Sequence, residues 1–192
     1  MTWQIGTRLL KSSCSCAMAK SPERARDRTG SIITARSMST PLSVQGWTRA
    51  GALAGLFAHA PSKSHPHVVR PGRIFATRPT HEAKSKREMH TATPTAKRLK
   101  VDVEDSHTHG NEEDLVKAVL GRPESALIVW HHGTLAKLVR HFPIVNIDEI
   151  PKRWPDERFD LIWVLVRQPG AEPKYRFVVV PQMLLADDEE TV

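Results

Sequence analysis

The 192-residue sequence predicts an α/β domain in which a mostly parallel sheet is flanked by helices in three layers. Helical and strand patterns alternate over residues 42–142, which is typical of parallel strands joined by helices. The run Ser125–Trp130 is continuously apolar, as in a strand that is covered on both faces. Two more apolar runs, Phe159–Val166 and Tyr175–Val180, are joined through a Gln-Pro-Gly turn and predict a hairpin at one side of the sheet.

The first helix is predicted from Leu42 onward. Apolar residues recur at steps of three and four as far as Phe57, which indicates an amphipathic helix. Ser43 is suited to cap its N-terminus, and Pro61 lies beyond its end. A Pro-rich loop follows, and Arg73–Thr77 then predicts a short strand.

The middle of the chain predicts three helices and one short strand. A second helix is predicted near Lys86–Leu99, where Pro94 implies a break, a kink or a helix that begins there. Val101–Val103 could form a short strand at the edge of the sheet. Asn111–Leu120 carries acids in its first turn, which suits the positive end of a helix dipole. Gly133–Phe142 has apolar residues at helical spacing and predicts the last helix.

Charge is distributed unevenly along the chain. Residues 1–100 contain 18 Lys and Arg but four acids, whereas residues 101–192 contain ten Lys and Arg and 17 acids, for a net charge of +7. The first forty residues are basic and rich in Ser and Thr, a composition of organelle transit peptides and also of disordered or unrelated tails. We therefore expect a basic N-terminal segment over 1–40, an α/β domain over 41–183 and an acidic tail over 184–192.

Composition also excludes two classes of protein. No stretch approaches about 18 consecutive apolar residues, so no membrane span is expected. Cys14 and Cys16 are the only cysteines and cannot form a disulfide framework, so a secreted domain held together by disulfides is also excluded. We expect a cytoplasmic location, and the basic N-terminal segment leaves mitochondria open as the alternative.

One candidate site follows Ser125–Trp130, because ligands of α/β sheets bind at the carboxyl ends of strands. His131 and His132 stand there, directly before a predicted helix. Their ring N–H groups and the helix N-terminus would form an anion site, although such a pair can instead simply cap a helix. A zinc site that adds His107 and His109 lacks an acidic or cysteine ligand at a known metal spacing, so we expect no metal and no cofactor.

The second candidate site is Ser85–Ala92, which follows the predicted strand Arg73–Thr77. It contains Arg87, whose guanidinium could hold a phosphate through two hydrogen bonds. The alternative is that Arg87 belongs with Lys84 and Lys86 to a solvated basic surface. An arginine and a histidine at two strand ends together indicate phosphate chemistry.

Four segments follow one another in the order LSVQGWTRAGALA, IFAT, SKREMHTATPTAKRL and ALIVWHHGTLAKL. Their order and spacing resemble the histidine phosphatase superfamily, in its phosphoglycerate-mutase-like branch, over residues 42–166. Members of that family have a Leu-Ser/Thr-x-x-Gly-x-x-Arg/Gln-Ala helix start, then a strand leading to Ser-x-x-Arg-x-x-x-Thr-Ala, and later a strand ending in His-Gly. The resemblance implies a phosphoglycerate-mutase-like fold and the chemistry of phosphoric monoesters.

The resemblance also assigns roles to individual residues. Arg87 matches the arginine that clamps the phosphate, and His131 matches the second active-site histidine, which hydrogen-bonds the transferred phosphoryl group. His132 stands where the family usually has glycine, which leaves the order of the pair open. The family's general acid is a carboxylate after the second helix, and Glu104 or Asp105 would fill that role if its surroundings raise its pKa.

The family's defining Arg-His-Gly ends its first, central strand and supplies the phosphohistidine nucleophile, and this chain contains no such motif. The candidate strand before Leu42 is Ser31–Ala35, after which Arg36 would keep the phosphate-binding arginine and Ser37 would replace the nucleophile. A serine without an adjacent base is a poor nucleophile. Three explanations stay open: a mispredicted or alternatively spliced start, a non-catalytic member that retains phosphate binding, or a shared scaffold with another role.

The expected function is therefore the binding of a phosphorylated small molecule by a phosphatase- or phosphomutase-like protein with impaired catalysis. A non-catalytic phosphate-binding protein is the alternative. A nucleic-acid-binding module is less favoured, since the basic half lacks interleaved aromatic residues and carries neither a zinc-finger nor an RRM signature.

Overall fold

A computed structural model describes residues 13–16, 42–81 and 84–191. The strands in these residues are β1 (Ser13–Cys16), β2 (Arg73–Ala76), β3 (Val103–Glu104), β4 (Ala126–Val129), β5 (Leu161–Arg167) and β6 (Tyr175–Pro181). The helices are α1 (Val44–Ala58), α2 (Arg87–Leu99), α3 (Glu112–Leu120) and α4 (His132–Arg140), with a short 3₁₀ turn at Ile147–Glu149. None of the described helices has the length and apolar character needed to cross a membrane.

The strands form one sheet in the order β3-β2-β4-β1-β5-β6. β2 pairs in parallel with β3 and β4, and β4 also pairs in parallel with β1. β5 runs antiparallel to both β1 and β6. The last two strands therefore form the expected hairpin at one side of a sheet that is otherwise parallel.

Alternating side chains divide the core between the two faces of the sheet. Phe75 and Ile128 pack in one cluster with residues of α3 and α4. Their neighbours Ile74 and Leu127 pack in the other cluster, with residues of α1 and α2. Since successive residues of a strand point to opposite faces, the helices form two layers with the sheet between them. The structure confirms an α/β fold with parallel strands flanked by helices.

The helix ends show which local predictions hold. The Ser43 side chain caps α1, because its Oγ accepts a hydrogen bond from the Gly46 N–H at 3.1 Å, as predicted.

Pro94 lies inside α2, and the helix neither breaks nor begins there. A proline within a helix costs about 3 kcal/mol, and burial of Ala92 and Ala96 on either side of it holds the helix together.

β1 is an element that the sequence does not predict. It lies between β4 and β5, with Cys14 opposite Leu127 in the parallel register. The segment Ser13–Cys16 reads Ser-Cys-Ser-Cys and lacks the apolar residues by which a central strand is recognised. The expected first strand, Ser31–Ala35, and the candidate Arg36 lie outside the described residues.

The acidic segment after β6 is held against α1. Asp188 forms an ion pair with Arg49 at 2.6 Å, and both side chains are at least nine-tenths buried. The Asp188 Oδ2 also accepts hydrogen bonds from the backbone N–H groups of Leu184 and Leu185, at 2.7 and 3.1 Å. Burial alone would raise the pKa of Asp188, but the hydrogen bonds from Arg49 and from the two backbone groups lower it.

Asp188→Asn should lower the free energy of unfolding by about 3 kcal/mol at neutral pH, since it leaves Arg49 buried without its counter-charge. The folded-state pKa of Asp188 is lowered, so its contribution is present above the unfolded value near 3.8 and is lost as pH falls through the folded value. Urea unfolding at several pH values measures this difference. Asp187→Asn, at an exposed neighbour, is the control and should change stability by less than about 0.5 kcal/mol.

Candidate functional site

β2 and β4 end level with each other at one edge of the sheet. Ala76, the last residue of β2, lies opposite Val129, the last residue of β4. The chain then enters the loops that lead to the N-termini of α2 and α4. Residues at these two strand ends therefore meet at a common boundary, which we call the carboxyl edge.

His131 is the N-cap residue of α4, and its Nδ1 accepts a hydrogen bond from the Gly133 N–H at 3.2 Å. Because Nδ1 is an acceptor, the neutral ring carries its proton on Nε2, which can donate to a ligand. A Cβ at position 133 would lie 3.1 Å from Cε1 and Nδ1 of the ring, so glycine gives the imidazole room over the helix end. The capping role and an anion-binding role are therefore compatible.

A small pocket at the carboxyl edge brings together polar side chains that are far apart in sequence. They come from the loop after β2, the start of α2, the loop after β3 and the N-cap of α4. The lining residues are Thr77, Arg78, Thr80, Ser85, Glu88, His109 and His131. Two imidazoles, a guanidinium and the threonine hydroxyl groups can direct hydrogen bonds to an oxyanion from several sides, whereas the Ser85 hydroxyl donates to Glu88.

The surroundings of His131 favour its neutral ring. Burial lowers the pKa of His131, as do the positive charges of His132, His109 and Arg87, whereas the carboxylate of Glu88 raises it. The His131 ring stacks on His132 with 4.7 Å between centroids and meets the edge of His109 at 5.6 Å. Several groups that can carry positive charge are thus crowded at one place.

Arg87 is the first residue of α2, and its backbone N–H donates to the Ser85 Oγ at 3.3 Å. Its guanidinium charge contributes to the lowered pKa of His131, so the two residues are electrostatically coupled. Arg87 does not itself line the pocket, where the guanidinium is that of Arg78. What relates Arg87 to His131 is this charge interaction.

Glu88 is a site residue that the sequence analysis missed. It is 2% exposed, and one of its oxygens, Oε2, accepts a hydrogen bond from the Ser85 Oγ at 2.8 Å. The other, Oε1, is buried without a hydrogen-bond partner among the described residues. An acid in the first turn of a helix usually interacts with the helix dipole at the surface, and the sequence carries no sign that this one is buried.

Glu104, the predicted general acid, lies in a different environment. Arg73 donates hydrogen bonds to both of its carboxylate oxygens, at 2.8 and 2.9 Å. These hydrogen bonds hold the pKa of Glu104 below its usual value, whereas a general acid needs a raised pKa. Neither Glu104 nor Asp105 lines the pocket.

His132 lies behind His131 rather than in the pocket lining. Its Nδ1 is buried and has no hydrogen-bond partner among the described residues. His109, which the sequence suggests only as a possible zinc ligand, lines the pocket. In the described part of the chain, no group of three or more His, Cys, Asp or Glu side chains is arranged to hold a metal ion.

Comparison with known proteins gives no family for this chain. No protein-family model matches its sequence, and no curated protein matches it. The function must therefore be argued from the residues at the carboxyl edge.

NMR titration of the histidine rings should place the pKa of His131 below 6.5, the usual value for histidine. His132→Ala should raise this pKa because it removes a neighbouring positive charge, and Glu88→Gln should lower it because it removes a negative one. The two substitutions serve as controls for each other. A shift of the His131 pKa in the same direction in both variants would contradict the electrostatic description.

Proposed function

We propose that the chain binds the phosphate group of a small phosphorylated molecule in the pocket at the carboxyl edge. The observation that carries the proposal is the convergence of His131, His109 and Arg78 on one pocket, with Arg87 electrostatically coupled to His131. The pocket lies where α2 and α4 begin. Backbone N–H groups at helix N-termini and the positive ends of helix dipoles favour anions at such positions.

The charges around the pocket support an anionic ligand. His132, His109 and Arg87 lower the pKa of His131 because their positive charges repel the protonated ring. A bound phosphate would offset that repulsion and favour protonation of His131. Binding therefore gains from positive charges that are unfavourable to one another without an anion.

We further propose a phosphoglycerate-mutase-like arrangement of the sheet. In its support, β1 lies between β4 and β5, the central position that the family resemblance gives to the first strand. After β1 the sequence reads Ala17-Met18-Ala19, and the family has Arg-His-Gly at the end of that strand. Since the strand is not followed by a histidine nucleophile, the proposed function is binding without efficient phosphoryl transfer.

Phosphate should raise the melting temperature of the wild-type protein, and Arg87→Ala should remove this shift. A ligand at ten times its Kd stabilises the folded state by about 1.4 kcal/mol, which corresponds to about 4 °C for a chain of this size. Differential scanning fluorimetry with millimolar inorganic phosphate measures the shift. Lys97→Ala removes an exposed positive charge near the other end of α2 and should keep it.

The purified chain should hydrolyse p-nitrophenyl phosphate no faster than buffer, because the phosphohistidine nucleophile is absent. Continuous measurement of the absorbance of released p-nitrophenolate is sufficient. Substantial hydrolysis that disappears in His131→Ala would refute binding without transfer.

A further inference from the structure

Glu88 is an unusual residue for a pocket that binds anions. It is 2% exposed and lines the pocket beside His109 and His131. A pocket that selected ligands by negative charge alone would gain nothing from a buried carboxylate, because that carboxylate repels every anion. We therefore expect the Glu88 carboxylate to make a specific interaction with the ligand.

The two oxygens of Glu88 differ in their hydrogen bonding. Oε2 accepts from the Ser85 Oγ at 2.8 Å, whereas Oε1 is buried and has no hydrogen-bond partner among the described residues. A buried acceptor without a donor is energetically costly, and the cost is larger for a charged group. A donor supplied by the ligand would remove it.

Among the common oxyanions, phosphate can supply this donor. Hydrogen phosphate and the monoanion of a phosphate monoester carry an O–H group, whereas sulfate has none at neutral pH. The cationic groups of the pocket attract either anion, so they do not distinguish the two. The carboxylate does distinguish them, since it accepts a hydrogen bond from an O–H and repels an oxyanion that lacks one.

We propose that Glu88 determines the specificity of the pocket by accepting, through Oε1, a hydrogen bond from a phosphate group that carries a proton. The ligand class is therefore hydrogen phosphate or a monoanionic phosphate monoester, and sulfate is disfavoured. This inference rests on the proposed phosphate binding and adds the reason why the pocket contains a buried acid.

The test compares inorganic phosphate with sulfate by isothermal titration calorimetry, above the second pKa of phosphate. Both ligands are then dianions of similar size that differ in one proton. A hydrogen bond to a charged group is worth tenfold or more in affinity, so the wild-type protein should bind phosphate at least about tenfold more tightly than sulfate. Glu88→Gln should bring the two affinities to within about twofold, because the amide neither repels sulfate nor requires a proton on the ligand.

Glu113→Gln is the matched control. Glu113 is the second residue of α3, as Glu88 is of α2, but its side chain is 68% exposed. This variant should keep the wild-type preference for phosphate.

Three outcomes would contradict the proposal. Equal affinities for phosphate and sulfate in the wild-type protein would overturn the role of Glu88 while leaving phosphate binding intact, and this result does not depend on whether a variant folds. A preference that survives Glu88→Gln would also overturn it, and failure to bind either anion would overturn the proposed function as well.

Discussion

The parallel pairing of β2 with β4 is the constraint on which the rest of the molecule depends. Four residue pairs are in register, from Arg73 with Ala126 to Ala76 with Val129. A slip of one residue would turn each side chain of one strand toward the opposite helix layer. It would also separate the two strand ends by about 3.3 Å. The register that fills both cores therefore also aligns the loops that form the pocket.

Ion pairs within the fold connect the basic first half of the sequence with the acidic second half. Arg49 and Arg73 belong to the basic half of the sequence, and each pairs with an acid from the other half, Asp188 and Glu104. Both arginine side chains are largely buried, so these charges stabilise the fold and are not available to a partner. A count of basic residues by segment therefore overstates the positive surface that a nucleic acid or a membrane would meet.

The predictable parts of this molecule were those with a strong local signal. β4 is continuously apolar, and Ser43 has the geometry and the residue type of a helix cap, so both could be predicted. Pro94 neither breaks α2 nor begins it, because packing on both sides of it outweighs the cost of a proline within a helix. β1 could not be predicted, since its short polar sequence gains its position from two neighbouring strands.

The same distinction applies to the site. His131 was identified because a strand end followed by a helix start is visible in sequence, and Arg87 for the same reason. The roles of Glu88 and Glu104 depend on burial and on partners up to 31 residues away, which no local pattern records. Of the residues that the sequence offers, His131 lines the pocket, whereas Glu104 lies outside it. Glu88 is the carboxylate that the structure places in the lining.

The ion pair between Arg49 and Asp188 joins residues that are 139 positions apart. A ribosome synthesises Asp188 after all of the helices and strands described above. Until Asp188 has been synthesised, α1 carries an arginine that cannot be buried with its partner, so the helix cannot complete its native packing. The domain is thus completed late, after translation has passed β6, and contacts between such distant residues slow folding.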